Sequence, residues 1–142
     1  MRIREIMTPN PATCTADTSL QEVARMMVEH DCGAIPIVAH GNGEQPEGIV
    51  TDRDIVVRLV AEGRNPVNVT AREAMTPSVV TVKPDDDVEA AADKMKEHQL
   101  RRLVVVDDGG RIAGIVAQAD LALDTSEALT AAVVENVSQP KR

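Results

Sequence analysis

In the run Gly48-Ile49-Val50-Thr51-Asp52-Arg53-Asp54, a hydroxyl and a carboxylate stand three residues apart where an apolar strand pattern gives way to a helix. Free backbone N–H groups point outward at such a junction and favour an anion. The Thr51 hydroxyl can donate to a ligand oxygen, and Asp54, one helical turn on, faces the same side. An ionised carboxylate only accepts hydrogen bonds, so it can take two from neighbouring hydroxyl groups. Thr-x-x-Asp at a helix start is also a capping pattern, and the two roles are compatible. A related run, Gly114-Ile115-Val116-Ala117-Gln118-Ala119-Asp120, keeps the carboxylate but has Ala117 in place of the hydroxyl. Arg101-Arg102, just before Leu103-Val104-Val105, is the candidate cationic spot; a solvated strand entry is its plainer reading.

These residues sit in a sequence that repeats itself. Met7-Thr8-Pro9 recurs as Met75-Thr76-Pro77, an offset of 68 that also aligns Ala24 with Ala92, Met27 with Met95 and His30 with His98. After the turn-rich loop Ala39 to Pro46 the offset is 66, which aligns Gly48 with Gly114 and Asp54 with Asp120. Each copy reads as strand, helix, two strands, helix. Ala12 to Thr15 and Val79 to Val82 are the opening strands. Leu20, Val23, Ala24 and Met27, and again Val88, Ala91, Ala92 and Met95, follow the i, i+3, i+4, i+7 spacing of an amphipathic helix. Ser19-x-x-Glu22 and Asp86-x-x-Glu89 are the capping signals of these helices. Strands are expected over Ala34 to Ala39, Glu47 to Thr51, Leu103 to Asp107 and Arg111 to Ala117, with a hairpin turn at Asp108-Gly109-Gly110. A second helix runs from about Asp52 to Glu62 with Gly63 as its stop, and a last amphipathic helix is expected over Ser126 to Val137. The resulting organisation is a first repeat over 1–63, a linker over 64–70, a second repeat over 71–124 and a C-terminal helix and tail over 125–142.

Composition limits the chemistry. Of 142 residues 43% are hydrophobic and none is Phe, Trp or Tyr, so the core is aliphatic and no ring is available for base stacking. The net charge of −8 disfavours a nucleic-acid backbone as partner. Cys14 and Cys32 lack a metal-ligand spacing and read as reduced thiols. The N-terminus has no apolar signal core, and no stretch approaches the roughly 20 apolar residues of a membrane helix, so a soluble cytoplasmic protein without a membrane partner is expected. There is no Ser-His-Asp arrangement, Walker loop, recognisable carboxylate pair or metal set, so the chain does not read as an enzyme. His30 and His98 read as helix ends and Met26, Met27 and Met95 as core filler.

The duplicated β-α-β-β-α order, opened by Met-Thr-Pro and closed by Gly-hydrophobic-hydrophobic-(Thr/Ser)-x-x-Asp, from which the second copy departs at Ala117, resembles a stand-alone pair of CBS (cystathionine-β-synthase type) domains over roughly residues 3 to 124. The resemblance implies an α/β (α+β) fold of two repeats packed with pseudo-twofold symmetry. It also implies a regulatory, non-catalytic role and an adenosine-containing ligand such as AMP, ATP or S-adenosylmethionine in a cleft between the repeats. On the same basis Asp54 would hold ribose and Thr51 ribose or phosphate. Arg101 or Arg102 would grip phosphate from across the cleft, and Ile49, Val79 and Val80 would form aliphatic walls. Asp120, Ile115, Ala12 and Ala34 would line a weaker second site. No cofactor beyond the nucleotide and no metal is implied. A homodimer through Ile55, Val56, Leu59 and Val60 and an unidentified regulated protein are the expected partners. The alternative is a ligand-free dimerisation or protein-interaction module.

Overall fold

The structure, a computed structural model, describes residues 1–39, 45–77 and 80–124. The expected helix over Ser126 to Val137 and the site residue Val79 lie outside the described residues. The chain divides into two compact units, Pro11–Val79 and a second made of Met1–Asn10 with Val80–Arg142.

In the unit Pro11–Val79, helix α1 (Leu20–His30) precedes strands β2 (Ala34–Val38) and β3 (Pro46–Thr51). Ser19 caps α1 by accepting the Glu22 backbone N–H at 3.2 Å, as the sequence signal requires. The helix closes on Asp31, which takes a left-handed conformation so that the Cys32 N–H reaches the Met27 carbonyl at 3.0 Å. β2 and β3 pair antiparallel, and β3 pairs antiparallel with β4 (Thr76–Pro77). The expected strand Ala12 to Thr15 shrinks to a single parallel bridge between Cys14 and Ile37. Its ladder is two bonds, Cys14 N–H to Pro36 O and Cys14 O to the Val38 N–H. Cys14, Leu20, Val23, Ile35, Ile37, Val50, Leu59, Ala71 and Ala74 form the core.

Helix α2 (Asp52–Ile55) runs on as a π-helical turn, Val56–Val60, and stops at Gly63 with φ of 76°. This corrects the expected apolar face. Leu59 is fully buried in the core and Ile55 packs against it, while Val56, Val57 and Val60 are exposed. Ile55 and Leu59, four residues apart, share the inward side of the turn, and Val56 and Val60, also four apart, share the outward side.

The other unit repeats the plan. Helix α3 (Val88–His98) lies between β5 (Thr81–Val82) and β6 (Arg102–Val106); β7 (Ile112–Ala117) and helix α4 (Gln118–Asp124) follow. The sheet order is β1-β7-β6-β5, where β1 is Thr8–Pro9. β5 and β6 are parallel and the other neighbours antiparallel. The β6–β7 turn is held by the Asp107 side chain, whose Oδ1 accepts the N–H groups of Gly109 at 2.9 Å and Arg111 at 3.0 Å. The α3 cap differs from expectation. Asp87, not Asp86, is the N-cap residue and makes no side-chain cap bond. Asp86 instead accepts the Lys83 N–H at 2.9 Å, and the first helical N–H, that of Val88, is satisfied by the Met1 carbonyl at 3.0 Å. The core comprises Ile3, Ile6, Val82, Val88, Ala91, Ala92, Met95, Leu103, Val105, Val116 and Leu121.

The two Met-Thr-Pro segments each join the sheet of the other repeat. Thr8 and Pro9 pair with Ile115 and Gly114, whereas Thr76 and Pro77 pair with Ile49 and Gly48. This explains the glycine in each closing motif. A Cβ on Gly48 would lie 2.6 Å from the Thr76 carbonyl oxygen, and one on Gly114 would lie 2.7 Å from that of Thr8. Ion pairs fasten the segments, Arg4 to Asp85 in one unit and Arg72 to Asp17 at 2.9 Å in the other. The Arg4 guanidinium beside Asp85 holds its carboxyl below the ordinary 3.8.

Candidate functional site

Thr51 is the last residue of β3 and the N-cap of α2. Its backbone N–H donates to Asp54 Oδ2 at 3.0 Å, and the Asp54 N–H donates to Thr51 Oγ1 at 3.0 Å. The capping pattern is therefore realised in full, with both side chains half-buried. Only Asp54 Oδ2 enters this box, so Oδ1 keeps its lone pairs for other donors. Behind the junction, the Asp52 N–H donates to the Gly33 carbonyl at 3.0 Å, and Ala34 is the register partner of Thr51. The same unit holds Ile49, half-buried on β3, and Ala12, which packs against the unit's core.

The second motif is built alike, with half the box. The Ala117 N–H donates to Asp120 Oδ2 at 2.7 Å, and no hydroxyl returns the bond to the Asp120 N–H. The Gln118 N–H donates to the Arg101 carbonyl at 2.8 Å, as Asp52 does to Gly33. Arg101 is exposed, while Arg102 is half-buried on β6 with Ala117 as its register partner. Within this unit the two arginines thus flank the Ala117–Asp120 junction. Neither guanidinium has an ion pair or hydrogen bond among the described residues. Ile115 is buried on β7, and Val80 packs against the unit's core. Gln118 Oε1 is buried without a hydrogen-bond partner among the described residues.

Sequence reasoning passed over Arg58. Its guanidinium donates to the Met75 carbonyl at 2.8 Å and to Thr76 Oγ1 at 3.1 Å, fastening the π turn after α2 to the strand that completes the sheet. The available signal was one cation inside the apolar run Ile55 to Val60. Among the described residues there is no cluster of His, Cys, Asp and Glu able to hold a metal, and no helix long and apolar enough to cross a membrane.

Two α+β units, each ending a strand in a carboxylate-capped helix start, define a duplicated small-domain protein. The chain belongs to the CBS domain family, whose CBS domain pattern matches residues 3–61 and 71–123. It is 36% identical over 136 residues to an uncharacterized protein of Methanopyrus kandleri; the match covers 96% of this chain and 65% of that protein's length. Among solved structures it is similar to a conserved CBS domain protein from Thermoplasma acidophilum, with TM-score 0.84 and 30% identity over 96% of this chain and 75% of the other. It is also similar to the CBS domain protein PAE2072 from Pyrobaculum aerophilum complexed with AMP, with TM-score 0.79 and 27% identity over 95% and 99% of the two chains. The CBS domain pair of protein MJ0100, in complex with methylthioadenosine and S-adenosylmethionine, matches with TM-score 0.75 and 29% identity over 87% and 98%.

Proposed function

We propose that this chain is a non-catalytic regulatory module that binds an adenine nucleotide and relays its level to another protein in the cytoplasm. The observation that carries the reading is the Thr51–Asp54 box in a chain similar to a CBS domain protein complexed with AMP. Asp54 keeps one carboxylate oxygen for ribose hydroxyls and the Thr51 hydroxyl can donate to phosphate, whereas the N–H groups of Asp52, Arg53 and Asp54 are already bonded within the chain and are not the free donors the sequence suggests. Arg101 or Arg102 is the phosphate cation in this reading, with Ile49, Val79 and Val80 against the adenine; these assignments rest on the family resemblance. The half-box at Asp120, with Ile115, Ala12 and Ala34, belongs to a weaker second site. A thermal-shift screen against AMP, ADP, ATP, NAD and S-adenosylmethionine tests it. A true ligand stabilises by roughly 2.7 kcal/mol at a hundredfold excess over its dissociation constant. No shift with any of the five rejects the reading.

The exposed valines Val56, Val57 and Val60 favour a second reading, in which the chain works by dimerisation without a ligand. Light scattering at micromolar concentration, taken together with the thermal-shift screen, separates the two. A dimer whose stability ignores every nucleotide supports the second reading.

A further inference from the structure

The N-terminal segment 1–9 and the inter-repeat segment 69–77 are two versions of one docking peptide. Arg4-Glu5-Ile6-Met7-Thr8-Pro9 and Arg72-Glu73-Ala74-Met75-Thr76-Pro77 differ at a single position. Each seats itself by the same bonds. The Ile3 N–H donates to the Asp86 carbonyl at 2.9 Å where the Ala71 N–H donates to Thr18 at 2.8 Å. The Arg4 N–H donates to the Pro84 carbonyl at 2.9 Å where the Arg72 N–H donates to Ala16 at 3.0 Å. Met1 accepts the Val88 N–H at 3.0 Å where Val69 accepts that of Leu20 at 2.8 Å. The ion pairs Arg4–Asp85 and Arg72–Asp17 correspond as well.

The seats differ in volume. The segment 1–9 plugs its core with Ile3 and Ile6, whereas 69–77 uses Ala71 and Ala74, and all four side chains are buried. Isoleucines in the alanine seat would overpack it, and alanines in the isoleucine seat would leave two cavities. The seat on β7, α3 and the Pro84–Asp87 turn therefore accepts a segment carrying both isoleucines, and the inter-repeat segment cannot supply one.

The peptide is tied to the rest of the chain through Pro9-Asn10-Pro11. Asn10 is held at φ of 47°, a left-handed conformation that costs a non-glycine residue energy, and its N–H makes one bond to the Ala113 carbonyl at 3.1 Å. Straightening this hinge relieves Asn10, and the flanking prolines favour extended backbone. Every contact of the seat is re-formed when the segment docks on another molecule, which is the condition for exchange between identical chains.

We propose that residues 1–9 are an exchangeable strand and that the seat on β7 and α3 takes the corresponding segment of a second copy of this chain. The partner is recognised by the buried Ile3 and Ile6, by Arg4 and, at 3.4 Å, Arg2 over Asp85, and by a Thr-Pro strand end. The test uses full-length chains. An isotopically light chain carrying benzoyl-phenylalanine in place of the exposed Glu5, which is no part of the seat's ion pairs, is unfolded together with unmodified heavy chain in urea. The mixture is refolded over a range of concentrations and irradiated, and the linked peptides are read by mass spectrometry. Exchange gives light-to-heavy links into the 84–88 peptide that rise with protein concentration. Ile3→Ala with Ile6→Ala in the light chain reduces those links severalfold. Links confined to light chain at every concentration, or light-to-heavy links spread evenly over the surface, overturn the proposal.

Discussion

Thr51 and Asp54 each satisfy the other's backbone N–H, at 3.0 Å in both directions, so one pair of side chains both starts helix α2 and presents a carboxylate beside it. Removing Asp54 therefore has two separable effects. Asp54→Ala costs about 1 kcal/mol of stability through the lost return bond to the Thr51 N–H, the N-cap itself remaining. On the proposed reading it is also expected to weaken AMP roughly ten- to a hundredfold, the loss of a charge-assisted hydrogen bond. Asp120→Ala loses the corresponding bond to Ala117 but leaves AMP affinity within about twofold, since its half-box lacks the hydroxyl. Calorimetry below the melting range reads binding apart from stability, and urea titration reads the cap. Equal losses of affinity in the two variants would show that the second motif binds as well as the first.

The incomplete box predicts a gain. Ala117→Thr adds the hydroxyl that the Asp120 N–H lacks, at a half-buried position that corresponds to Thr51 in the other repeat. The variant is expected to be more stable by about 0.5–1 kcal/mol, seen as a higher urea midpoint at unchanged slope. A lower midpoint would mean that the site around Gln118 is too tight for the extra atoms.

The closing-motif glycines are required by backbone, not by turn geometry. Gly48→Ala and Gly114→Ala each set a methyl group within 2.7 Å of a carbonyl oxygen of the Met-Thr-Pro strand. Each is expected to cost about 1–3 kcal/mol, because backbone cannot yield as a flexible side chain would. Hydrogen exchange distinguishes them. Gly48→Ala loosens the β3–β4 pairing and Gly114→Ala the β1–β7 pairing, each in its own unit.

The two thiols are expected to differ in reactivity. Cys14 is buried and Cys32 exposed. Burial pushes the Cys14 thiol up from 9.0 to about 11, against a smaller lowering by its hydrogen bond with Thr18. A thiol reagent at pH 8 should label one cysteine in the native chain and both in denaturant. The raised value also carries a sign for stability. The unfolded chain releases the Cys14 proton first, so stability is whole below about 9 and falls as pH rises towards about 11. Cys14→Ala flattens that alkaline decline, and an unchanged decline would assign it to other groups.

Much of this molecule is determined by local sequence, because its signals act within a few residues. The i, i+3, i+4, i+7 apolar spacing sets α1 and α3. Asp107 organises the β6–β7 turn, and Thr-x-x-Asp supplies both halves of the α2 capping box from residues three apart. The duplicated motif marks Thr51, Asp54 and the degraded Ala117 for the same reason. Tertiary structure decides what depends on distant chain. Asp86 opens the capping pattern, yet its carboxylate turns back to the Lys83 N–H and the Met1 carbonyl takes the Val88 N–H. Leu59 and Val60 are both apolar neighbours, and which of them is buried depends on the side of the helix that the β2–β3 core covers. The Met-Thr-Pro strands are two residues long and end in proline, so they carry no periodicity of their own. Which sheet they join follows from non-local hydrogen bonds and from the fit of Ile3 and Ile6, or Ala71 and Ala74, into cores assembled by the opposite repeat.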